Sequence, residues 1–589
     1  MSSNGPNARP AKRGDSTRPV IHFTARSWIN DPCGPGYDPT TGLYHLFYQW
    51  NPVGCEWGNM SWGHVQSRDM ISWQDAGVQP ALFPSQPYDK EGIFMGCLLI
   101  GRSDGPLTIF YTSVKQLPFH WSTPPYPRNA AGLSMATSHD DGITWQKSEK
   151  NPIIEGAPAE TSFTGFRDPF VLDWPALDKV RGEQALYGLI SGGIQGSGPT
   201  TFLYSIDPER HENWRCLGSL VDIPERMQSS KKWSGNFGMN WECVNFMTLQ
   251  SGSVSRDFLI VGAEGDVERK HILCGRLPPG LPARTIRQQL WLSGDLETVG
   301  EAVKFRPTID GFLDHGCYYA ANSFLDARSR RRIVHGWIPE EDCSLEYARR
   351  KGWNGSLAIP REIFLLTIKR ITRALRSPLH EISSISFVKD DSGHGTLITM
   401  GIRPFSELSA IREACCQVRE FAQFSLPSPE HRSRQLYNTS YPAWSLQAVV
   451  ALSTECDSVA LYIRHNKNLV VRTAVVVSLT DETITVERAA STLREDVNKC
   501  PEQGPFTLFE TVGYHGERRW EKLHLDIVSD GDVLEVFAND RFALATMVYS
   551  GDSAENCGIT ACAKGLNGSA AFESIRVWDG LNRAESLFT

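Results

Sequence analysis

The sequence predicts an all-β protein built from two domains. At 589 residues the chain is too long for one ordinary hydrophobic core. Short apolar and aromatic runs, bounded by Gly, Pro and Asp, recur along it with the length and composition of strands. Long stretches of helical periodicity are missing. The hydrophobic content of 41% and the charged content of 21% are ordinary for a globular protein.

Residues 20–365 are expected to form the larger domain. Its strand-like runs include "LYHLFYQW", "LTIFYTSV", "FRDPFVLDW", "ALYGLISGG", "FLIVGAEG" and "RRIVHGWI". Many short strands at such spacing favour a sandwich, a barrel or a propeller. About 345 residues exceed a plain sandwich and suit a propeller of four-stranded blades, although no strict internal repeat is visible. Fourteen of the 17 Trp residues lie before residue 360, which either core packing or a sugar-binding face explains.

The rest of the chain divides into a tail, a linker and a second domain. Residues 1–19 are polar and rich in Pro, Gly and Ser, so a flexible tail is expected there. The pattern loosens over 366–400, which predicts a linker with one short helix. "FSELSAIREACCQVREF" predicts another helix with Ser406 as its cap. Strand-like runs return from about residue 437, so 401–589 is expected to hold a C-terminal β-sandwich.

Charge and cysteine usage restrict the partners and the compartment. A net charge of −8 and a pI near 6.0 give no support for a nucleic acid partner. No apolar run reaches the roughly 18 residues that a membrane span needs. The N-terminus lacks an apolar signal segment, and the 14 Cys are dispersed without a C-x-x-C pair. We therefore expect a cytoplasmic protein with 14 free thiols and no structural disulfide. Whether it forms a homodimer is left open.

Nucleotide and hydrolase motifs are missing. "GGIQGSGP" at 192–199 is glycine-rich, but the strand-like "TTFLYS" follows where a dinucleotide site requires a helix. The chain contains no Walker sequence, no H-E-x-x-H and no G-x-S-x-G. Dehydrogenase, metalloprotease and serine hydrolase functions are thus unsupported, and neither a cofactor nor a metal is expected.

Three carboxylates stand among aromatic residues. Asp31 in "SWINDPCGP" either starts an Asp-Pro turn or is held extended by Pro32 and walled by Trp28. Asp168 in "FRDPF" also precedes a Pro, and Glu242 in "NWECVNF" follows a Trp. Desolvation of Glu242 would favour the protonated form that a general acid needs. Each could be a structural carboxylate, but three in one Trp-rich β-domain point to glycoside cleavage, which uses paired carboxyl groups.

Longer motifs resemble one known family. They are "WINDPCGP", "LYHLFYQWNP", "WGNMSWGH", "FRDPF", "WECVNF", "GFLDHGCYYAA", "HGWIPE", "GWNGSLAIPRE" and "LEVFANDRFALATMVY". In this order they resemble the fructan- and sucrose-cleaving enzymes of glycoside hydrolase family 32, over about residues 20–580. "YTSVKQLPFHWSTP" is similar to fungal invertases and fructosyltransferases. The resemblance implies a five-bladed β-propeller with a central pocket, followed by a β-sandwich.

The resemblance also implies roles for the three carboxylates. Asp31 matches the nucleophile and Glu242 the acid/base, while Asp168 matches the residue that holds fructose hydroxyls and stabilises the transition state. Positions that match sugar contacts are Asn30, Gln49, Trp57, Phe94 and Arg167 for the fructosyl unit, and His120, Glu264 and Arg287 near the leaving group. Two departures stand out: Cys33 replaces the family's usual Asn, and Met95 replaces the Ser of a Trp-Ser-Gly tripeptide. Met95 offers no hydroxyl to the substrate.

The function that follows is a retaining β-fructofuranosidase, an invertase that hydrolyses sucrose and short fructo-oligosaccharides with some transfructosylation. The alternative is a dedicated fructosyltransferase that makes kestose-type products from sucrose with the same residues. A catalytically inactive sugar-binding propeller would require the loss of a catalytic carboxylate, and all three are present. An inverting arabinan-type enzyme is the fourth hypothesis, and product stereochemistry would separate it. The expected partner is a small sugar.

Overall fold

The computed structural model describes residues 18–101, 105–158, 161–265, 287–300, 302–389, 394–427, 432–550, 555–565 and 568–582. Strands dominate these ranges, so the all-β prediction is confirmed. Most of the expected N-terminal tail, residues 1–17, lies outside the described residues. In the part that is described, no helix is both long and apolar enough to cross a membrane.

The N-terminal strands form five mainly antiparallel sheets in the described ranges. The strands of the first sheet, in chain order, are β1 (Ser27–Asp38), β2 (Leu43–Asn51), β3 (Ser61–Ser67) and β4 (Gln74–Asp75); those of the second are β5 (Gly92–Leu99), β6 (Leu107–Val114), β7 (Ala131–Ser138) and β8 (Gln146–Lys147); those of the third are β9 (Phe163–Asp173), β10 (Leu186–Ile194), β11 (Gly198–Asp207) and β12 (Arg210–Ser219); those of the fourth are β13 (Asn240–Ser251), β14 (Val254–Glu264), β15 (Arg287–Val299) and β16 (Ala302–Phe312). The fifth sheet contains β17 (Tyr319–Leu325), β18 (Arg332–Ile338), β20 (Ser356–Leu357), β21 (Arg361–Ala374), β22 (Ser386–Lys389) and β23 (Gly395–Pro404), whereas β19 (Trp353–Asn354) joins the first.

The first strands of these sheets form a closed ring, as in a β-propeller. β1 lies beside β5, β5 beside β9, β9 beside β13, β13 beside β17, and β17 beside β1. β19 pairs in parallel with the start of β1, with Ser27 opposite Trp353 and Trp28 opposite Asn354, and so ties the end of the ring to its beginning. Strands such as β6 are buried at every position, which explains the continuous apolar run "LTIFYTSV".

The C-terminal region is a β-sandwich of two antiparallel sheets. Its strands are β24 (Gln417–Phe421), β25 (Phe424–Pro427), β26 (Arg432–Asn438), β27 (Trp444–Leu452), β28 (Cys456–His465), β29 (Thr473–Ser478), β30 (Thr483–Glu487), β31 (Glu502–Pro505), β34 (Leu523–Asp530), β35 (Val533–Ala538), β36 (Phe542–Met547), β37 (Gly558–Gly565) and β38 (Ser569–Asp579). One sheet has the order β24-β38-β27-β34-β35-β36, with β25 also paired to β38, and the other has the order β26-β37-β28-β29-β30-β31. In β27 the buried side chains of Trp444, Leu446, Ala448 and Val450 alternate and enter the core between the sheets.

The expected linker over 366–400 is wrong as a description of local structure. β21 runs through this stretch to Ala374 and pairs with β23, and a C-terminal hairpin of β32 (Phe509–Val512) and β33 (Arg518–Trp520) adds to β21 through β32. A register shift between Ile368 and Ile371, with Arg370 at φ +62°, interrupts the alternation of apolar and polar residues. That interruption explains why the sequence pattern looked loose. A 3₁₀ turn at Leu379–Glu381 takes the place of the expected short helix.

Three short helices are present in the described residues: α1 (Pro175–Arg181), α2 (Leu345–Lys351) and α3 (Leu408–Glu413). α3 confirms the helix predicted after residue 404, although it is shorter than expected. Ser406 is not its cap, since Glu407 occupies the N-cap position and makes no side-chain capping bond. Ser406 instead accepts a hydrogen bond from the Ser409 N–H through its carbonyl oxygen.

The expectation of 14 free thiols is also wrong. Among the described residues twelve cysteines carry free thiols, but Cys500 is disulfide-bonded. Spacing along a sequence argues only against compact local frameworks, whereas one bond can join cysteines that are distant in the chain. The disulfide removes one of the two observations behind the cytoplasmic expectation, which stays a prediction.

The two domains pack through one continuous apolar cluster. Side chains of the propeller such as Leu313 and Ile363 share it with Val533 and Phe537 of the sandwich. Buried polar contacts cross the same boundary. The imidazole of His22 lies 2.9 Å from Asp530 and 3.0 Å from Glu535. A boundary of this kind holds the sandwich in a fixed place beside the propeller.

Candidate active site

A cavity of about 390 Å³ opens beside the ring of first strands. All ten residues predicted for the site line it: Asn30, Asp31, Gln49, Trp57, Phe94, His120, Arg167, Asp168, Glu242 and Glu264. Arg287, placed near the leaving group from the resemblance, lines it as well. Residues separated by more than 200 positions in sequence thus meet in one pocket.

Irregularities in the first strands aim these side chains. The register of β1 against β2 shifts between Ile29 and Pro32, which brackets Asp31, and the register of β13 shifts just after Glu242. Asp168 lies in a similar shift of β9, and its backbone has φ +61°. Bulges re-aim a side chain at the rim of a sheet, and a non-Gly residue at positive φ stores local strain. The carboxylates are therefore fixed by backbone geometry.

Asp31 lies within β1, so the Asp-Pro turn does not apply to it. Gln49 Nε2 donates a 3.2 Å hydrogen bond to its Oδ2, and the Cys33 thiol donates to its backbone carbonyl at 3.4 Å. Burial raises the pKa of Asp31 well above the ordinary value, with the charges of Asp168 and Glu242 adding to the effect. Arg287 and Arg167 oppose this rise only in part.

Asp168 is buried more deeply than Asp31 at the same site. Its backbone N–H donates to Thr112 Oγ1 at 2.8 Å, and the backbone N–H of Cys243 donates to its Oδ2 at 3.3 Å. Burial raises the pKa of Asp168, against the opposing charge of Arg167. The carboxyl group is thus held rigidly in a site where charge is unfavourable.

Glu242 is held between two hydrogen-bond donors. Its Oε1 accepts from Arg167 Nε at 3.1 Å and from Arg167 Nη2 at 2.6 Å, and its Oε2 accepts from the Tyr319 hydroxyl at 2.9 Å. Trp241, its neighbour in sequence, points into the core, while the Glu242 side chain keeps 19% exposure at the pocket. Alternation along a strand places neighbouring side chains on opposite faces.

Arg167 also connects Glu242 to Glu264. Its Nη2 donates to Glu264 Oε2 at 3.0 Å, and His120 Nε2 lies 3.6 Å from Glu264 Oε1. Although burial alone would raise it, the pKa of Glu264 is held below its usual value by His120 and Arg167. Arg167 Nη1 is buried without a hydrogen-bond partner among the described residues, which leaves its N–H groups for a ligand.

Aromatic side chains form the upper walls of the pocket. Trp57 is 53% exposed, and its ring meets that of Phe94 edge-on at 6.0 Å. Phe119 continues this wall 6.0 Å beyond Phe94. Exposed aromatic faces of this kind stack on the apolar faces of sugars. Met95 is the extra residue of a bulge in β5 and packs in the core beneath the site, so it presents nothing polar to the pocket.

Several lining residues were not predicted from the sequence: Trp28 as a pocket residue in its own right, Phe119, Tyr319, Trp337, Glu340, Glu341 and Asn354. Most lie inside the motifs "HWSTP", "GCYYAA", "HGWIPE" and "GWNGS" or just beside them, so the signal was present without a role attached. Arg287 forms an ion pair with Glu341 and lies over the Tyr319 and Trp337 rings at 5.3 and 5.1 Å. The described residues hold no group of three potential metal ligands.

Comparisons with known proteins place both domains in one family. The model of the glycosyl hydrolases family 32 N-terminal domain matches residues 22–375, and that of the family 32 C-terminal domain matches residues 407–579. The insoluble isoenzyme 3 of β-fructofuranosidase from Oryza sativa subsp. indica is 31% identical over 379 residues, which cover 59% of this chain. The match spans about half the length of that relative, 55%.

Solved structures extend the likeness to nearly the whole chain. A β-fructofuranosidase of Aspergillus kawachii complexed with glycerol superposes with a TM-score of 0.84 at 27% identity, over 99% of both chains. A fructosyltransferase from A. japonicus gives 0.85 at 24% identity, again over 99% of both chains, which is a likeness of fold. Since the two family models together match most of the sequence, this chain belongs to glycosyl hydrolase family 32.

Proposed function

We propose that this protein is a retaining β-fructofuranosidase that hydrolyses sucrose and short fructo-oligosaccharides. The observation that carries the proposal is the contrast between two carboxylates in one pocket. Asp31 is held by an amide donor, whereas Glu242 lies between a guanidinium and a phenol. Retaining glycosidases use one carboxylate as nucleophile and another as acid and base. Different surroundings allow two such groups to do different work at one pH.

In the first step Asp31 attacks the anomeric carbon of the fructosyl unit. The bond from that carbon to the glycosidic oxygen breaks, its electron pair passes to the oxygen, and Glu242 supplies the proton that lets glucose leave. Asp168 binds fructose hydroxyls and stabilises the charge that develops on the ring. Since the pKa of Asp31 is raised, the reaction slows on the acidic side at a higher pH than an ordinary aspartate would dictate.

In the second step an acceptor oxygen attacks the same carbon and displaces Asp31. Glu242, now a carboxylate, takes the proton from that oxygen. Water as acceptor gives fructose, and a sugar hydroxyl gives a kestose-type product. Each displacement inverts the anomeric carbon, because the attacking oxygen approaches the face opposite the group that leaves, so two displacements in succession retain the β configuration.

The runner-up function is a dedicated fructosyltransferase. The exposed Trp57, the nearby Phe119 and the 42% exposed His120 ring favour it, because they offer a sugar acceptor an open aromatic surface. We also propose that the five N-terminal sheets are the five blades expected for the family. Neither point alters the two-step chemistry.

One experiment tests the reaction and its outcome together. Purified protein is incubated with sucrose at low and at high concentration, glucose, fructose and kestoses are separated by chromatography, and the anomer formed first is identified by NMR. We expect β-fructose at low sucrose and additional kestose at high sucrose. Initial release of α-fructose would contradict the retaining mechanism, and kestose without free fructose at every concentration would favour the transferase.

A further inference from the structure

The segment after β18 places a buried carboxylate at the pocket wall. Glu340 lines the pocket, yet its side chain is fully buried from solvent. Its Oε1 binds the ammonium group of Lys351, whereas its Oε2 has no hydrogen-bond partner among the described residues. An ionised carboxylate can accept about four hydrogen bonds, and leaving a buried oxygen unpaired costs free energy. Glu340 Oε2 therefore calls for a hydrogen-bond donor that the described residues do not supply.

Lys351 and the sandwich domain hold Glu340 in place. Lys351 ends α2, and its ammonium group lies 3.7 Å from the Trp353 ring centre and 3.5 Å from Asp532 Oδ2. Asp532 belongs to the turn between β34 and β35 of the sandwich. All three charged side chains are at most 7% exposed. Because Lys351 is charged, buried and fixed on both sides, the Glu340 carboxylate that pairs with it has little freedom to turn its Oε2 toward another group.

A second contact with the sandwich anchors the same segment. Asp342 Oδ2 lies 2.8 Å from Arg488 Nη1 in a buried ion pair, and Asn498 Nδ2 donates to Asp342 Oδ1 at 2.9 Å. The backbone of Asn498 also donates to the Asp342 carbonyl at 2.8 Å. Glu340 and Glu341, which line the pocket just before Asp342, are thus held in place by the sandwich. The sandwich itself contributes no described residue to the pocket lining.

The neighbours of Glu340 place it on the leaving-group side. Glu341 pairs with Arg287, whose guanidinium lies over Tyr319, and Tyr319 donates to Glu242. Glu242 is the group that protonates the glycosidic oxygen in the proposed function. The predicted fructosyl contacts come instead from β1, β2, β5, β9 and the loop after β2. A donor that reaches Glu340 therefore belongs to the sugar beyond the glycosidic oxygen.

We propose that Glu340 determines specificity for the leaving or accepting sugar by accepting a hydrogen bond from one of its hydroxyl groups, with Lys351 and Asp532 as positioning residues. This inference rests on the proposed fructosidase activity. The hydroxyl donates its proton to Oε2 without transferring it, so no bond is formed or broken. A glucosyl unit, or the fructosyl unit of an acceptor, supplies such hydroxyls, whereas a nitrophenyl leaving group supplies none.

The test compares two substrates in the full-length protein. Glu340→Gln keeps the shape but removes the charge of the acceptor. A hydrogen bond to a charged group changes binding by about 10- to 100-fold, so kcat/KM for sucrose should fall by that factor. For nitrophenyl β-fructofuranoside it should fall by less than about threefold, because that leaving group makes no such bond. Asp532→Asn should show the same selectivity at a smaller size, about three- to tenfold on sucrose.

A matched control separates this role from domain packing. Lys232→Gln removes another ion pair between the domains, in which Lys232 Nζ lies 2.8 Å from Glu482 Oε2. Neither residue lines the pocket. It should leave the ratio of the two kcat/KM values unchanged, whatever it does to the melting temperature. Equal losses on both substrates, in Glu340→Gln or in Asp532→Asn if the first does not fold, would overturn the inference. A wild-type protein that cleaves neither fructoside would refute the proposed function instead.

Discussion

Replacing Glu242 by Gln should remove the exchangeable carboxyl proton while keeping the shape of the side chain. The Gln carbonyl can take the place of Oε1 and accept from Arg167, and the amide group can donate to the Tyr319 oxygen that now donates to Oε2. The side chain keeps its volume in a site that it already fills, so the fold and the affinity for sugar should change little. What is lost is the ability to give and take a proton.

The fall in kcat/KM of the Glu242→Gln variant should depend on the leaving group of the substrate. General acid catalysis contributes about 10²- to 10⁴-fold, which corresponds to about 3–5 kcal/mol in the barrier. Sucrose needs a proton on the glycosidic oxygen, so its kcat/KM should fall by that factor. A nitrophenolate leaves without a proton, so cleavage of an aryl fructoside should fall by no more than about tenfold.

Stopped-flow measurement of nitrophenol release provides the readout. In the variant the first step remains fast, while the second step is slow because no carboxylate activates water. We expect a burst of about one nitrophenol per enzyme, followed by slow turnover. Equal losses of kcat/KM on sucrose and on the aryl fructoside, with no burst and with cleavage shown to limit the rate, would mean that Glu242 is not the general acid.

Four further outcomes follow from the site and the thiols. Asp31→Asn should abolish turnover and raise the melting temperature near neutral pH. Burial and neighbouring carboxylates raise the pKa of Asp31, so its contribution to stability is complete below the ordinary value of 3.8 and is lost as the pH rises. The gain in melting temperature should therefore grow from pH 4 to pH 8, and a gain independent of pH would contradict this cause. Asp168→Asn should lower kcat with little change in KM, since its contacts strengthen in the transition state, and steady-state kinetics checks this. His120→Ala and Glu264→Ala should each lower the kestose-to-fructose ratio at high sucrose, and unchanged chromatograms would place the acceptor elsewhere. Because Cys500 is disulfide-bonded, titration of denatured protein should count 12 thiols before reduction and 14 after it, and 14 in both cases would exclude the bond.

The strands with continuous or alternating apolar runs were the most predictable elements. "LTIFYTSV" and "WSLQAVVAL" coincide with β6 and β27 to the residue, because continuous or alternating apolar runs of that length have few other ways to be buried. The two domain types and the ten lining residues followed from motifs in a fixed order. Three of these motifs, around Asp31, Asp168 and Glu242, mark positions where a register shift aims a carboxylate into the pocket.

Other features depend on contacts that no local pattern encodes. β21 passes for a linker because a bulge at Arg370 breaks its alternation and a distant hairpin pairs with its end. Glu340 lies in a recognisable motif, but its burial depends on Lys351 and on Asp532, which is 192 positions away in the sandwich. The contacts of Glu242 come from the distant Arg167 and Tyr319, because Trp241, its neighbour in sequence, faces the other side of the strand.

The parallel pairing of β19 with β1 has a consequence for the newborn chain. Asp31 leaves the ribosome long before the strand that holds its segment in place, which ends at Asn354. At about 5–20 residues per second, synthesis of the intervening segment takes roughly 16–65 seconds. Until then Asp31, Asp168 and Glu242 lie in three sheets of a ring that β19 has not yet tied together. A nascent chain stopped before Trp353 should therefore be inert toward sugars, however well its early sheets have folded, and activity should arise in a single late event.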